Sequence, residues 1–505
     1  MSATVVTATP ANNAADRPMD RSRAAAAYRA PRSTGTPSPA VDGSETMSPT
    51  SQITSTNPFD RSDRIGEFPV ASPQQVAGLL AGARQARHEW LAQPATARAD
   101  ALYAAAAALA ADHERVSGLV VREVGKPIAE ARAEVKRGVD ILRYHAGSIL
   151  MPSGDVLPGS TAGGVQFTTR RPLGTVAIVT PWNFPVAIPL WKLVPALAWG
   201  NAVVLKPSSE AVGVATALVE ILSAHLPAGL LSLAAGGRTV VDQLLDTGGA
   251  DGLSFTGSTP VGLSLVKRAA ERALPCQTEM GGSNPTVVLA DADIPRAVAT
   301  IAGSAMAFAG QKCTATSRVV VEAPVYDAVR DGLVDAVERL SVGDPARETT
   351  VSGPVIGEAA LGEALDALGQ TGGRVLSGGS ADRSTNVLSP ALVEVDAGRP
   401  DVLLSQEVFA PVAALVRADD PMDAMAIAAD TPYGLSAGLF TTNVRAVLDF
   451  LRDSEVGMVR VNAPTTGVDF WAPFGGMKAS SFGSREQGPA AKDFFTHGVT
   501  VFIDG

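Results

Sequence analysis

The sequence predicts an α/β protein made of two doubly wound domains with a small additional β element. Three observations carry this. From Gly174 onward, short apolar strands alternate with helical segments; a second such series begins at Pro285; and a glycine pair, Gly281-Gly282, lies between them. Alternation of this kind implies parallel sheets covered on both faces. The first series reads as strands 175–179, 201–205, 230–233 and 252–255, with helices at 186–199, 210–225, 239–246 and 260–273. The second reads as strand 285–289, helix 294–309, strand 318–322 and helix 325–340.

Upstream, a helical pattern runs from Ser72-Pro73 through Trp90, with Ser72 as N-cap and Pro73 in the first turn. Ala-rich helical segments follow at 95–112 and 127–148. Residues 163–171 alternate as a half-exposed strand. It lies outside the main alternation, which marks it as a contact to another subunit. Residues 1–52 are rich in Ala, Ser, Thr and Pro, and read as a disordered tail, with folding starting near Asn57-Pro58. The tail lacks the apolar core of a secretory signal. Its arginines suggest a transit peptide, Asp16 and Asp20 oppose that, and Met47 is an alternative start.

Composition narrows the function. The chain has 505 residues, a hydrophobic fraction of 46% and a formal net charge of -10, with both signs scattered. That argues against nucleic acid and anionic membrane as partners, and no apolar run reaches transmembrane length. Two cysteines, Cys276 and Cys313, and five dispersed histidines predict no metal site and no disulfide framework.

Cys313, in Gly310-Gln311-Lys312-Cys313, stands between a small-residue helical pattern and a β-branched run. A thiolate presented between elements can act as nucleophile; a buried apolar Cys is the other reading. Pro181-Trp182-Asn183-Phe184-Pro185 follows the first strand of the alternation, where such sheets bind ligands, and Asn183 offers a side-chain N–H or simply a turn. Lys206-Pro207-Ser208-Ser209 ends the second strand and suits a ribose or phosphate, or a solvated Lys. Phe255-Thr256-Gly257-Ser258 leads into a helix start that could hold a pyrophosphate. No G-x-G-x-x-G occurs, so the common dinucleotide fingerprint is absent. Glu279 precedes Gly281-Gly282, which leave room for a water beside a general base; alone, it reads as a surface Glu. Glu407 and Phe409 would point to one side if extended, as ribose acceptor and packing ring, or as a strand start with a core Phe. Gly434-Leu435-Ser436-Ala437-Gly438 matches G-x-S-x-G, but a loop precedes it and a strand follows. That is the wrong context, and a serine hydrolase at Ser436 stays a remote alternative.

Together these stretches, with Pro473-Phe474-Gly475-Gly476-Met477-Lys478, resemble the aldehyde dehydrogenase superfamily over about 57–503, in the family's order. The resemblance implies a cofactor-binding domain over 53–158 and 172–281, an oligomerisation strand over 159–171 and a catalytic domain over 282–475. A C-terminal return with a second oligomerisation strand occupies 476–505. It implies NADP or NAD as cofactor, a small aldehyde as substrate, and a homodimer or homotetramer in which a strand extends a neighbour's sheet. By position, Cys313 is the nucleophile, Asn183 an oxyanion donor, Glu279 the base that activates water, and Lys192 and Glu486 a proton relay. Thr180, Pro181, Trp182, Lys206, Ser208, Ser209, Gly257, Ser258, Glu407 and Phe409 match cofactor contacts; Phe184, Trp191 and Phe470 match substrate walls. The runs 460–470 and 478–488 resemble a bacterial branch acting on 2,5-dioxopentanoate; succinic semialdehyde or an aromatic aldehyde are the alternatives. Two positions depart from the family. Ala410 replaces a usual Gly, and Ser209 stands where NAD-preferring members often carry Glu, so NADP is expected to be tolerated.

Overall fold

The computed structural model describes residues 51–246 and 248–504. The expected tail and the alternative start at Met47 lie outside the described residues, save for Ser51 and Gln52. Order begins earlier than Asn57: strand Gln52–Thr56 pairs antiparallel with Arg64–Pro69. The hairpin is fastened by a buried carboxylate. Glu123, 1% exposed, accepts from Ser55 Oγ at 2.8 Å and from the Gly213 and Val214 backbone N–H groups at 2.7 and 2.6 Å. The latter two are unpaired donors at the start of helix Val212–Ser223, which a carboxylate satisfies.

Glu123 belongs to a helix, His113–Val124, that the sequence pattern did not single out. Val116, Val120, Val121 and Val124 form its buried stripe, and β-branched residues are weak helix formers. Packing against helix Ile128–Ser148 overrides that preference.

The first sheet has six strands, in the order Ser481–Phe482, Cys276–Glu279, Gly252–Thr256, Thr175–Val179, Ala202–Lys206, Leu231–Leu233. All neighbours are parallel except the Ser481–Phe482 edge. The second has seven strands: Arg374–Ser377, Ala391–Glu394, Val412–Ala418, Thr316–Glu322, Asn284–Val288, Ser436–Phe440, Met458–Val461. It is parallel apart from its first pair. The chain passes from one sheet to the other through Met280–Ser283. Helices cover both faces, and the central strands Thr175–Val179, Ala202–Lys206 and Asn284–Val288 are buried along their whole length. This is the doubly wound α/β fold that the alternation predicts.

Two departures from the expected elements matter for the site. The helix expected over 294–309 stops at Met306. Phe308, Ala309 and Gly310 then take φ values of +55°, +52° and +64°, a left-handed turn. Such backbone costs a non-Gly residue about 1–2 kcal/mol. At Gly310 a Cβ would stand 2.3 Å from the Ala410 carbonyl oxygen, so a side chain is excluded. Phe409, expected in an extended segment, is also left-handed at φ +53°.

Strands Val156–Leu157, Val165–Pro172 and Thr496–Ile503 form a separate antiparallel sheet. Its outer residues Val156, Phe502 and Ile503 are exposed. Among the described residues, no helix is long and apolar enough to cross a membrane.

Removing the Glu123 carboxylate strands three buried donors at once. Glu123→Ala is expected to lower unfolding free energy by about 3 kcal/mol, read as an earlier urea midpoint.

Candidate active site

In the first sheet the strand order reverses between Thr175–Val179 and Gly252–Thr256. Ligands enter such sheets at the carboxyl end of that switch point. Thr180, Pro181, Trp182 and Asn183 follow one of these two strands, and Gly257 and Ser258 follow the other. Ser258 precedes helix Thr259–Ala270 and its side chain does not cap it, so first-turn N–H groups stay open to an anion. Lys206, at the end of its strand, is 9% exposed; burial lowers its pKa and the Glu210 charge opposes that. Ser208 Oγ donates to the Glu210 carboxylate, and Ser209 opens the single turn Ser209–Ala211.

Glu407 Oε1 accepts from the Gly282 N–H at 3.0 Å. A Cβ on Gly281 would lie 1.9 Å from Glu407 Oε2, so glycine is required for the carboxylate to approach. Burial pushes the Glu407 pKa up to about 7. Phe409 stands edge-on to Trp182, with ring centroids 5.7 Å apart. An ammonium, an open helix start and a carboxylate around one sheet edge fit a dinucleotide: acceptors for ribose hydroxyls, donors for phosphate.

Cys313 follows the left-handed turn, and each residue between is tied down. Gln311, fully buried, donates from Nε2 to the Phe308 and Pro354 carbonyls at 3.3 and 3.2 Å, and accepts from the Ile356 N–H at 2.8 Å. Lys312 pairs with Glu130 at 2.8 Å. Asn284 Nδ2 donates to the carbonyls of Cys313 and Ala315, both at 2.8 Å, while its Oδ1 accepts from the Ser436 N–H at 3.0 Å. Asn183 Nδ2 donates to the Gln311 carbonyl at 2.9 Å. That bond uses one of its two N–H donors and fixes the amide beside the Cys313 loop. The thiol pKa is pushed well above the ordinary range, first by burial, then by the charges of Glu407 and Glu279. The Cys313 backbone N–H acts the other way, favouring negative charge at this point.

Glu279 ends strand Cys276–Glu279 and is 2% exposed. Among the described residues neither carboxylate oxygen has a hydrogen-bond partner of ordinary geometry, though the Ser481 hydroxyl lies close enough to favour its charged form. Burial, then the Glu486 charge, raises its pKa well above the carboxylate range. Glu486 in turn forms a buried ion pair with Lys192 and accepts from Trp191 Nε1 at 2.7 Å. Lys192 Nζ also donates to Ser254 Oγ at 2.9 Å.

A cavity of about 390 Å³ opens onto Cys313 between Phe184, Trp191, Lys312, Val468 and Arg137. Phe470 stands outside this lining, edge-on to Tyr144 and Trp471 at 5.7 and 4.7 Å. The charges on the wall are unequal. Lys312 is matched by Glu130, and Glu134 by Lys126. Arg137 makes no hydrogen bond or ion pair among the described residues, feeling only the fields of Glu134 and Asp469. Sequence reasoning missed it, because one Arg in an Ala-rich helix carries no motif. Ser436 begins a buried strand and donates to the Thr465 carbonyl at 3.1 Å. Its one downstream histidine, His497, lies exposed in the separate three-stranded sheet, so no triad forms. Among the described residues, no three His, Cys, Asp or Glu side chains gather to hold a metal.

A sequence profile of the Aldehyde dehydrogenase family matches residues 46–501. An alpha-ketoglutaric semialdehyde dehydrogenase of Bacillus subtilis is 38% identical over 457 residues, covering 88% of this chain and 93% of that protein. A 1-pyrroline-5-carboxylate dehydrogenase of Geobacillus sp. is 35% identical over 464 residues, covering 89% and 90%. Among solved structures, glyceraldehyde-3-phosphate dehydrogenase GapN from Methanocaldococcus jannaschii, complexed with NADP, superposes with a TM-score of 0.85 at 28% identity, covering 91% of this chain and 100% of that one. A nucleotide crevice, a thiol loop and a buried carboxylate meet in one chain that this profile spans almost end to end: the protein belongs to the NAD(P)-dependent aldehyde dehydrogenase family.

Proposed function

We propose that the chain oxidises 2,5-dioxopentanoate, a short aldehyde with a carboxylate at its far end, to 2-oxoglutarate through a Cys313 thioester. The observation that carries the substrate is Arg137. It is the cation left over on the cavity wall once Lys312–Glu130 and Lys126–Glu134 are paired. An unmatched guanidinium favours an anionic group and can hold a carboxylate by two parallel hydrogen bonds. The Bacillus subtilis relative's name supports the same substrate.

Cys313 passes its thiol proton to the Glu279 carboxylate, from which it leaves through Glu486 and Lys192, as Sγ bonds to the aldehyde carbon and the carbonyl oxygen becomes an oxyanion. The second Asn183 N–H and the Cys313 backbone N–H face that charge; losing one such donor typically costs ~10²–10³ in rate. Lys206, Ser208 and Ser209 would hold the adenosine ribose, and the N–H groups after Ser258, beside Gly257, the pyrophosphate. Glu407, Phe409, Thr180, Pro181 and Trp182 would frame the nicotinamide ribose. Bound NAD(P) supplies the hydride acceptor that oxidation requires. Glu279, its two oxygens without a hydrogen bond of ordinary geometry, then takes the proton from the water that cleaves the thioester. Glu486 and Lys192 lead that proton away from the cavity. Because Ser209 presents no carboxylate to a ribose 2′-phosphate, NADP is accepted as well as NAD. The exposed three-stranded sheet is the surface on which we place subunit association, as a dimer or tetramer in the cytoplasm.

Cys313→Ala is expected to abolish aldehyde-dependent NAD(P)H formation while retaining cofactor binding; persistent turnover overturns the mechanism. Glu279→Gln should stop after a single, slower burst. Because the carboxylate form is the base and its pKa is raised, deacylation should climb with pH in the parent and lose that slope in the variant. Arg137→Leu should raise KM for 2,5-dioxopentanoate by ~10²-fold yet leave an uncharged aldehyde of equal length within ~3-fold. Equal losses on both remove Arg137 from substrate recognition. Ser209→Glu should shift preference from NADP toward NAD, measured as a ratio of kcat/KM values.

A further inference from the structure

Three of the site's parts lean on one buried ammonium that takes no part in the chemistry above. Lys126 is fully buried, and its Nζ lies 3.8 Å from the centroid of the Phe184 ring and 4.6 Å from that of Phe308. The two rings meet edge to face, 6.4 Å apart. Phe184 directly follows Asn183 and lines the cavity. Phe308 is the first residue of the left-handed turn that delivers Cys313. The partner of Lys126 is Glu134, whose Oε1 accepts from the Val186 and Ala187 N–H groups at 2.8 and 2.9 Å. These donors start helix Ala187–Ala198, which carries Trp191 and Lys192.

A strained turn persists only where its surroundings over-determine it. Backbone restraints on Phe308 are its N–H bond to the Val351 carbonyl at 2.9 Å and the Gln311 donors on its carbonyl; its ring is held by the ammonium and by Phe184. Burial pulls the Lys126 pKa down and the Glu134 and Glu130 carboxylates hold it up; paired in this way, a desolvated cation over an aromatic face is held more firmly than an exposed one. The same ammonium touches the ring beside Asn183, so it bridges the segment carrying the oxyanion donor and the nucleophile loop, alongside the Asn183–Gln311 hydrogen bond.

We infer that Lys126 is a positioning residue: its ammonium, clamped between Phe184 and Phe308 and anchored by Glu134, sets Asn183 and Cys313 in register for attack on the aldehyde. This rests on Cys313 being the nucleophile, and the mechanism needs no proton or bond change at Lys126.

The test is pre-steady-state burst kinetics on the full chain, with nucleotide dissociation constants measured alongside. Lys126→Met/Glu134→Gln removes both charges together, so neither is left buried alone. Phe308→Leu leaves the ion pair intact and removes one face of the clamp. Both should slow the NAD(P)H burst by ~10²-fold, the loss typical of a misplaced reacting group, with nucleotide affinity unchanged. Lys126→Arg, which keeps a cation against the rings, should recover most of the burst rate. Burst rates at the parent value in Phe308→Leu, whether or not the double variant folds, overturn the inference. So does loss of burst and nucleotide binding in parallel. Cys313→Ala, run beside them, separates the two failures: turnover there sinks the nucleophile assignment, whereas an inert Cys313→Ala with normal Lys126 and Phe308 variants sinks only the clamp.

Discussion

Everything at the site depends on a backbone that turns the wrong way for three residues. Between helix Ile294–Met306 and strand Thr316–Glu322 the chain coils left-handed through Phe308, Ala309 and Gly310. The Ala410 carbonyl sits where a side chain on Gly310 would go. A regular helix continued to residue 310 would send Gln311 and Cys313 elsewhere. The turn explains the residue types after it: Gln311 has both amide functions engaged in holding the turn, and its carbonyl receives Asn183. The motif is thus a structural solution for presenting a thiol, written around one forced conformation.

Electrostatics at the thiol run against reactivity in the resting protein. Glu407, Glu279 and Glu486 add the field of three carboxylates around a half-buried thiol on the cavity wall. A thiol kept protonated by its surroundings is a poor nucleophile, because the thiolate is the reactive form. Glu279 shows the same logic. It is desolvated and carries a neighbouring like charge, which moves a weak base toward the strength needed near neutral pH.

Much of this was legible in the residues. Strand–helix alternation located six parallel strands to within about two residues, because buried strands are continuous apolar runs with glycine or proline at their ends; it left Cys276–Glu279, Ala391–Glu394, Val412–Ala418 and Met458–Val461 unassigned. The stretches around Asn183, Lys206, Glu279, Cys313 and Glu407 each allow an ordinary structural reading alone; their occurrence together, in one order along the chain, singles them out. What the sequence hid is equally physical. The left-handed turn is composed of Phe, Ala and Gly, of which Phe308 and Ala309 read as helix; the contact that keeps Gly310 free of a side chain comes from Ala410, a hundred residues away. Arg137 and Lys126 are ordinary basic residues until their neighbours are known. Their significance lies in which carboxylates are already taken, and no local pattern encodes that.

The acid–base centre also has a temporal order built into it. Glu279 and Lys192 belong to the first half of the strand series, but Glu486, and the strand Ser481–Phe482 that pairs with Cys276–Glu279, arrive more than two hundred residues later. Until those last residues leave the ribosome, Lys192 has no carboxylate partner and the first sheet has a bare edge. A nascent or prematurely terminated chain thus carries Cys313 and Glu279 before the buried Lys192–Glu486 pair and the last strand of the first sheet can form.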